Sequence, residues 1–353
     1  MALINELKVM TLTTAINMMK SPNQFLKRRL FGNHVTHPTE DFETHIINNG
    51  RNIAPFIRKN GEATMVGGYT TTRQVVSPTN IRIKRPFTAS DLLFGRYPGS
   101  VIYIPNGNYQ MNQIQQHIAR DMQVMADLIT NAEEYLCAMA LQGTISYSST
   151  DQEVFTITFP KPTAHNITLT TFWDTAGVTA GDFSGNLIAV KRLISEAVGL
   201  SVTDCILGTD ASDALRALVN AGTLKNLNQL QVNGGQFDFV QQFNEDGVLY
   251  LGQLEGISFW EYGRTASLNG TTVDMIRPKY AEFIAASPSA EFVMNYGAIS
   301  DMKALQGRSV QAERFSKAWE EEDPSVLMNL VATRPLPTPQ KPGAIVSMKV
   351  SAG

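Results

Sequence analysis

Three clusters in this 353-residue chain carry side chains able to do chemistry. The first is His34 and His37, three residues apart, with Glu40, Asp41 and His45 close behind. Imidazoles and carboxylates are metal ligands, but a His-x-x-His pair converges on one ion only when a helix or turn aligns the rings. Pro38 and the β-branched Val35 and Thr36 favour extended backbone here. The histidines therefore read as solvated or interface residues, and no metal is expected. The second cluster is Asp210 and Asp213, just after the apolar Cys205-Ile206-Leu207, where α/β enzymes keep catalytic carboxylates. No partner base, glycine loop or ligand set accompanies them. They read as a helix cap, Asp210, with a second favourable charge in the first turn. The third is Gly181-Asp182-Phe183-Ser184-Gly185, whose glycine spacing does not match a nucleophile elbow and which predicts a turn. Walker, Rossmann and zinc patterns are absent from the sequence. The expectation is a protein that is not an enzyme and takes no cofactor.

A fourth stretch suggests binding rather than catalysis. Lys27, Arg28 and Arg29 are consecutive and set inside Phe25, Leu26, Leu30 and Phe31. Such a mixture suits nucleic acid, a membrane surface or another protein. The chain as a whole holds 29 Lys and Arg against 32 Asp and Glu, a net charge of −3, so any basic footprint is local. Hydrophobic residues make up 43%, enough for a real core. Cys137 and Cys205 stand far apart among apolar neighbours and read as buried, reduced thiols. The start of the chain has no signal-peptide run, and no stretch approaches ~18 consecutive apolar residues. A soluble protein made in a reducing cytoplasm is expected, with no membrane partner.

The elements that must position these groups follow from periodicity. Residues 1–59 show little of it and read as an arm without a core of its own, ordered only against something else. Residues 60–90 hold two strand-like runs, Thr64 to Val76 and Ile81 to Lys84, around Ser77-Pro78-Thr79-Asn80, which predicts a long β-hairpin. Its second arm places Ile81 and Ile83 on one face, Arg82 and Lys84 on the other. From Tyr109 to Gln142 apolar residues recur every three or four positions: Met111, Ile114, Ile118, Met122, Met125, Ile129, Ala132, Leu136 and Met139. That is one face of a helix roughly 50 Å long, with Gln113, Arg120, Asp127, Asn131 and Glu134 on the opposite face and Gly143 as its stop. Beyond it come strand signals at 144–147, 153–159 and 166–171, a helix at 187–198, and a short buried strand at 205–207. A helix then runs over 211–221, and four further strand signals lie between 248 and 295. Prolines 335, 337, 339 and 342 precede a last apolar run, Ala344 to Val350, which needs a sheet to join.

In this order the parts resemble the major capsid proteins of tailed bacteriophages with the Hong Kong 97-type fold, and within them the lambda-like capsid protein E family. The residues that carry the resemblance are Phe25-Leu26 through Phe31 followed by Thr39-Glu40, and Gly67-Gly68-Tyr69 with Ser77-Pro78 and Ile81 to Arg85. To these add Tyr109 to Gly143 with its Ala138-Met139-Ala140-Leu141-Gln142-Gly143 ending, then Lys317-Ala318-Trp319, Asp323-Pro324 and Val326 to Val331. The resemblance implies an α+β capsid fold. Its parts are an N-terminal arm (1–59), an extended β-hairpin loop (60–90), a peripheral domain (91–184) with a spine helix (109–142), a mixed α/β axial domain (185–319) and a C-terminal segment returning to the sheets (320–353).

It also implies a subunit that assembles into hexamers and pentamers of an icosahedral shell around double-stranded DNA; an encapsulin-like compartment shell is the alternative. Expected partners are the chain itself, a separate scaffolding protein, a portal and a possible decoration protein, with weak contact to packaged DNA. Assembly is expected in the host cytoplasm and the product in the virion. On this reading Phe25, Lys27, Arg28, Arg29, Phe31, Tyr69, Arg73, Arg82, Lys84 and Arg85 contact neighbouring subunits. The basic triplet then pairs with acidic groups such as the Glu320 to Asp323 run. Ordering an arm and a hairpin that lack private cores is costly unless they bury apolar surface on a partner.

Overall fold

A computed structural model describes residues 9–18, 24–48, 70–88, 108–148, 154–220, 242–243, 247–268, 270–286, 292–301, 311–321 and 326–352. Helix α1 is Val9–Met18 and the short α2 is Phe25–Arg29. Strands β1 to β4 follow: Asn33–Thr36, Phe42–Asn48, Thr70–Val76 and Ile81–Thr88. The long helix α3, Asn108–Gln142, has 35 residues, about 50 Å at 1.5 Å per residue. It ends where Gly143 turns to φ +92° and its N–H reaches the Ala140 carbonyl. As its periodicity requires, Met122, Met125, Ile129, Leu136 and Met139 are buried. Beneath its middle lie α1, through Leu12 and Ile16, and a sheet in the order β16-β17-β4. In that sheet β16 is Phe315–Glu321 and β17 is Val326–Thr333.

The largest sheet has seven strands. They are β7 (Asn166–Thr168), β19 (Ile345–Lys349), β14 (Tyr280–Ile284), β8 (Asp204–Leu207), β11 (Ile257–Tyr262), β10 (Val248–Leu254) and β9 (Gln242–Phe243), in that order. The apolar 344–350 run thus finds the sheet it needs, antiparallel to β14 and parallel to β7. Helix α4, Ala180–Val198, buries Phe183, Leu187, Val190 and Ile194. It starts further upstream than apolar spacing alone indicates. Thr179 and Asp182 form a reciprocal capping box that carries 181–185 into the helix, so this segment is helical rather than the expected turn. Helix α5, Thr209–Asn220, begins after Gly208, where a Cβ would lie 2.2 Å from the Arg277 carbonyl oxygen.

A third sheet, β1-β15-β18, joins β1 to β15 (Phe292–Tyr296) in parallel and β15 to β18 (Pro335–Pro339) antiparallel. Prolines at alternate positions suit an edge strand, because Leu336 and Thr338 keep the N–H groups that the ladder uses.

Two expectations are corrected. The run at 70–76 does not pair with the run at 81–88. Strand β3 pairs with β2 across Phe42↔Val76 to Asn48↔Thr70, whereas β4 pairs with β17 across Val326↔Thr88 to Thr333↔Ile81. The hairpin-like ribbon is therefore β2–β3, and Ser77-Pro78-Thr79-Asn80 parts two strands that join different sheets. The faces of β4 follow its alternation, with Arg82 and Lys84 exposed and Ile81 and Ile83 half-buried on the long helix. Nor is the N-terminal segment coreless. Leu12, Ile16, Leu26, Leu30, Phe31, Phe42 and Ile46 are all buried within the one subunit. Residues 49–69 lie outside the described residues.

Candidate functional site

Helix α2 has five residues and no cap of its own, since Gln24 offers no side-chain bond to it. Its first N–H groups, which have no partner within the helix, are satisfied from the long helix instead. The backbone N–H groups of Leu26 and Lys27 donate to the two oxygens of Glu134 at 2.7 and 3.2 Å. Tyr262 Oη donates to the same carboxylate at 3.0 Å. Burial pushes the Glu134 carboxyl up from its ordinary value, partly offset by these donors. One residue earlier, Glu133 is buried and accepts from Lys27 Nζ at 2.8 Å, Arg314 Nη2 at 3.0 Å and Gln24 Nε2 at 3.0 Å. Burial would raise this carboxyl too, but the Lys27 and Arg314 charges and the Lys27 and Gln24 hydrogen bonds outweigh it, and its pKa is lowered.

The other side of α2 meets the seven-stranded sheet. Arg29 donates through Nε and Nη2 to Asp204 Oδ1 at 2.9 and 2.6 Å, and its guanidinium lies 4.6 Å from the Trp260 ring centroid. Trp260 Nε1 and Thr203 Oγ1 complete the Asp204 shell at 3.1 and 2.9 Å. Phe25 packs on Trp260, centroids 5.1 Å apart, and Phe31 sits edge-on to Phe292 at 5.4 Å. The helix is thus a bracket between the long helix and strands β8 and β11.

This geometry corrects the expected partners of Phe25, Lys27, Arg29 and Phe31. Lys27 and Phe31 are 5% and 0% exposed, and the carboxylates that meet Lys27 and Arg29 are Glu133 and Asp204 of the same chain. Arg28 is exposed. On the ribbon, Arg73 is exposed opposite His45; Tyr69 lies outside the described residues. On β4, Arg82 and Lys84 are exposed and Arg85 pairs with Asp121 of the long helix at 3.2 Å.

The chemical candidates separate. His34 Nδ1 meets Glu313 Oε1 at 3.0 Å, while His37 stacks on Phe42 at 4.1 Å and meets Asn295 Oδ1 through Nε2 at 2.9 Å. Among the described residues no three His, Cys, Asp or Glu side chains gather closely enough to hold a metal. Asp210 lies one residue inside α5 rather than at its cap, and Asp213 pairs with Arg216 at 3.4 Å. Both cysteines are buried free thiols.

Periodicity put Glu134 on the polar face and passed over Glu133, Arg314 and Asp204. A signal was present. From Tyr135 to Leu141 the long helix is apolar on every side, and such a helix is enclosed all round. The carboxylates that directly precede it, at 133 and 134, are then enclosed as well and must find cations or N–H donors.

Residues 8–350 match the family described as phage major capsid protein E. The chain belongs to that family. It is a capsid subunit, and the family is one of structural shell proteins. Among solved structures it is similar to a prophage capsid protein from E. coli CFT073, with a TM-score of 0.70 at 16% identity over 98% of this chain and 99% of that one. A phage-related protein from Bordetella bronchiseptica RB50 gives 0.52 at 11%, covering 96% of each chain. The capsid of Ralstonia phage GP4 gives 0.51 at 11%, covering 94% and 92%. Curated proteins yield no match. The fold of the subunit is the Hong Kong 97-type capsid fold.

Proposed function

We propose that this capsid subunit self-assembles into hexamers and pentamers of an icosahedral shell that encloses phage double-stranded DNA, and that it acts by assembly rather than catalysis. The observation that carries the reading is the β2–β3 ribbon. Its base is tied to the core through Phe42 and Val76, yet it is a two-stranded sheet, and its other face exposes Glu43, His45, Arg73 and Val75, the last 69% exposed. A two-stranded ribbon is marginal in water by itself. Identical neighbours in a closed shell supply the missing surface symmetrically. Arg73, Arg82 and Lys84 are then contacts between subunits. Scaffolding protein, portal and decoration protein are its partners in the host cytoplasm, and near-neutral charge keeps contact with packaged DNA weak.

Electron microscopy of purified particles, with nucleic-acid quantification, tests this. Closed heads that carry DNA are expected. Particles that hold a protein cargo and no nucleic acid would replace the reading with an encapsulin-like compartment.

A further inference from the structure

A groove of about 680 Å³ lies between the α2 bracket, edge strand β1 and ribbon strand β2. Its walls carry Arg28, Arg29 and His45, and Glu43 is its single carboxylate. Val35, an apolar side chain left 37% exposed, lines it beside Val293. Because β1 is the edge of its sheet among the described residues, an extended segment lying there can add to that edge through backbone hydrogen bonds. The site therefore fits an extended, acidic stretch of chain.

The subunit carries such a stretch. Glu320-Glu321-Glu322-Asp323 is its only run of four acidic residues. Glu320 and Glu321 are exposed at the end of β16, an edge strand whose beginning is covered by α1, where Thr13 Oγ1 and Asn17 Nδ2 donate to the Ser316 and Arg314 carbonyls at 3.2 and 3.1 Å. The acidic end of the same edge has no such cover among the described residues. A subunit cannot place this end in its own groove. Glu313 is tied to His34 of β1, and from there β16 runs on for about 20 Å before reaching Glu320.

We propose that the groove receives the acidic end of β16 from a second copy of this chain, Glu320 and Glu321 lying against Arg28 and His45. The inference rests on the capsid reading and names one of its contacts. Donor and acceptor surfaces differ, so the contact is heterologous and propagates from copy to copy until the shell closes. It weakens as salt rises, because both sides are solvent-exposed.

Charge reversal at exposed positions tests it. Arg28→Glu and Glu321→Lys are each expected to lower particle yield by about tenfold or more, and the double variant to regain most of it. Circular dichroism of the unassembled variants confirms that they fold. Independently, His45→Cys with Glu321→Cys is expected to give disulfide-linked chains in oxidised particles and single chains before assembly. Single reversals that assemble normally, a double variant no better than the singles, or a crosslink from position 45 to another segment or to DNA overturns the proposal while the capsid reading stands. If the unaltered chain forms no particles at all, the capsid reading itself fails.

Discussion

Residues 24–31 and the β2–β3 ribbon come from the same end of the chain and both mix basic with apolar side chains, yet they end in opposite states. In the first, Lys27 and Arg29 find Glu133 and Asp204 inside the subunit, and Leu26 and Phe31 are buried. In the second, Arg73 and Val75 face outward from a sheet of two strands. Composition is therefore a poor guide to whether a segment binds inward or outward. What decides it is whether the fold supplies a buried counter-charge, because an unpaired buried cation is far costlier than an exposed one. The long helix supplies two such carboxylates at the height of α2 and none that the ribbon reaches among the described residues.

The sharpest break of the contrast is Glu133→Ala. It strands Lys27 and Arg314, whose side chains are each 7% exposed, without their shared carboxylate, and should cost about 3–5 kcal/mol in denaturant unfolding of the unassembled subunit. A cost under about 1 kcal/mol would mean that the bracket is not locked.

The next effect is in pH. Glu133 titrates in the folded subunit below its ordinary 4.5, so its stabilisation is present above that value and is lost as pH falls through its lowered pKa. Glu134 is shifted the other way. It takes up a proton in the folded state before the unfolded chain does, so its contribution is present at low pH and is lost as pH rises through its raised pKa. Glu134→Gln removes this compensation, and the variant's stability should fall more steeply than the parent's as pH is lowered toward 4.5. Parallel stability curves for the two proteins would contradict the assignment.

Smallest for the fold are Arg73→Glu and Val75→Ser. Each should change subunit stability by within about 0.5 kcal/mol while lowering particle yield, measured by sedimentation. Loss of stability without loss of assembly would invert the comparison.

Much of this architecture can be read in the sequence where the cause is local. Spacing of three and four finds the long helix, and its Gly143 stop holds. Alternation places Ile81 and Ile83 opposite Arg82 and Lys84, and the apolar run from Ala344 to Val350 reads as a strand that must be paired, which it is over Ile345–Lys349. What escapes is partner choice. Nothing within 70–88 tells β3 to leave β4 for β2, because ladders are specified by register and burial contributed from elsewhere in the chain. The bracket escapes for the same reason. Lys27 and Glu133 are 106 residues apart, and each alone looks like surface charge. Family membership was legible because the order and spacing of many loose motifs is itself information, even though no single motif determines a contact.

The measurement closest to the centre of this account is the structure of the assembled particle by cryo-electron microscopy, at a resolution that traces side chains. In every subunit of the shell, Lys27 and Arg29 should contact Glu133 and Asp204 of their own chain, while the β2–β3 ribbon lies on an adjacent copy. A shell in which Lys27 and Arg29 pair with carboxylates of a neighbour, or in which Arg73 and Val75 of the ribbon touch no adjacent copy, would contradict it.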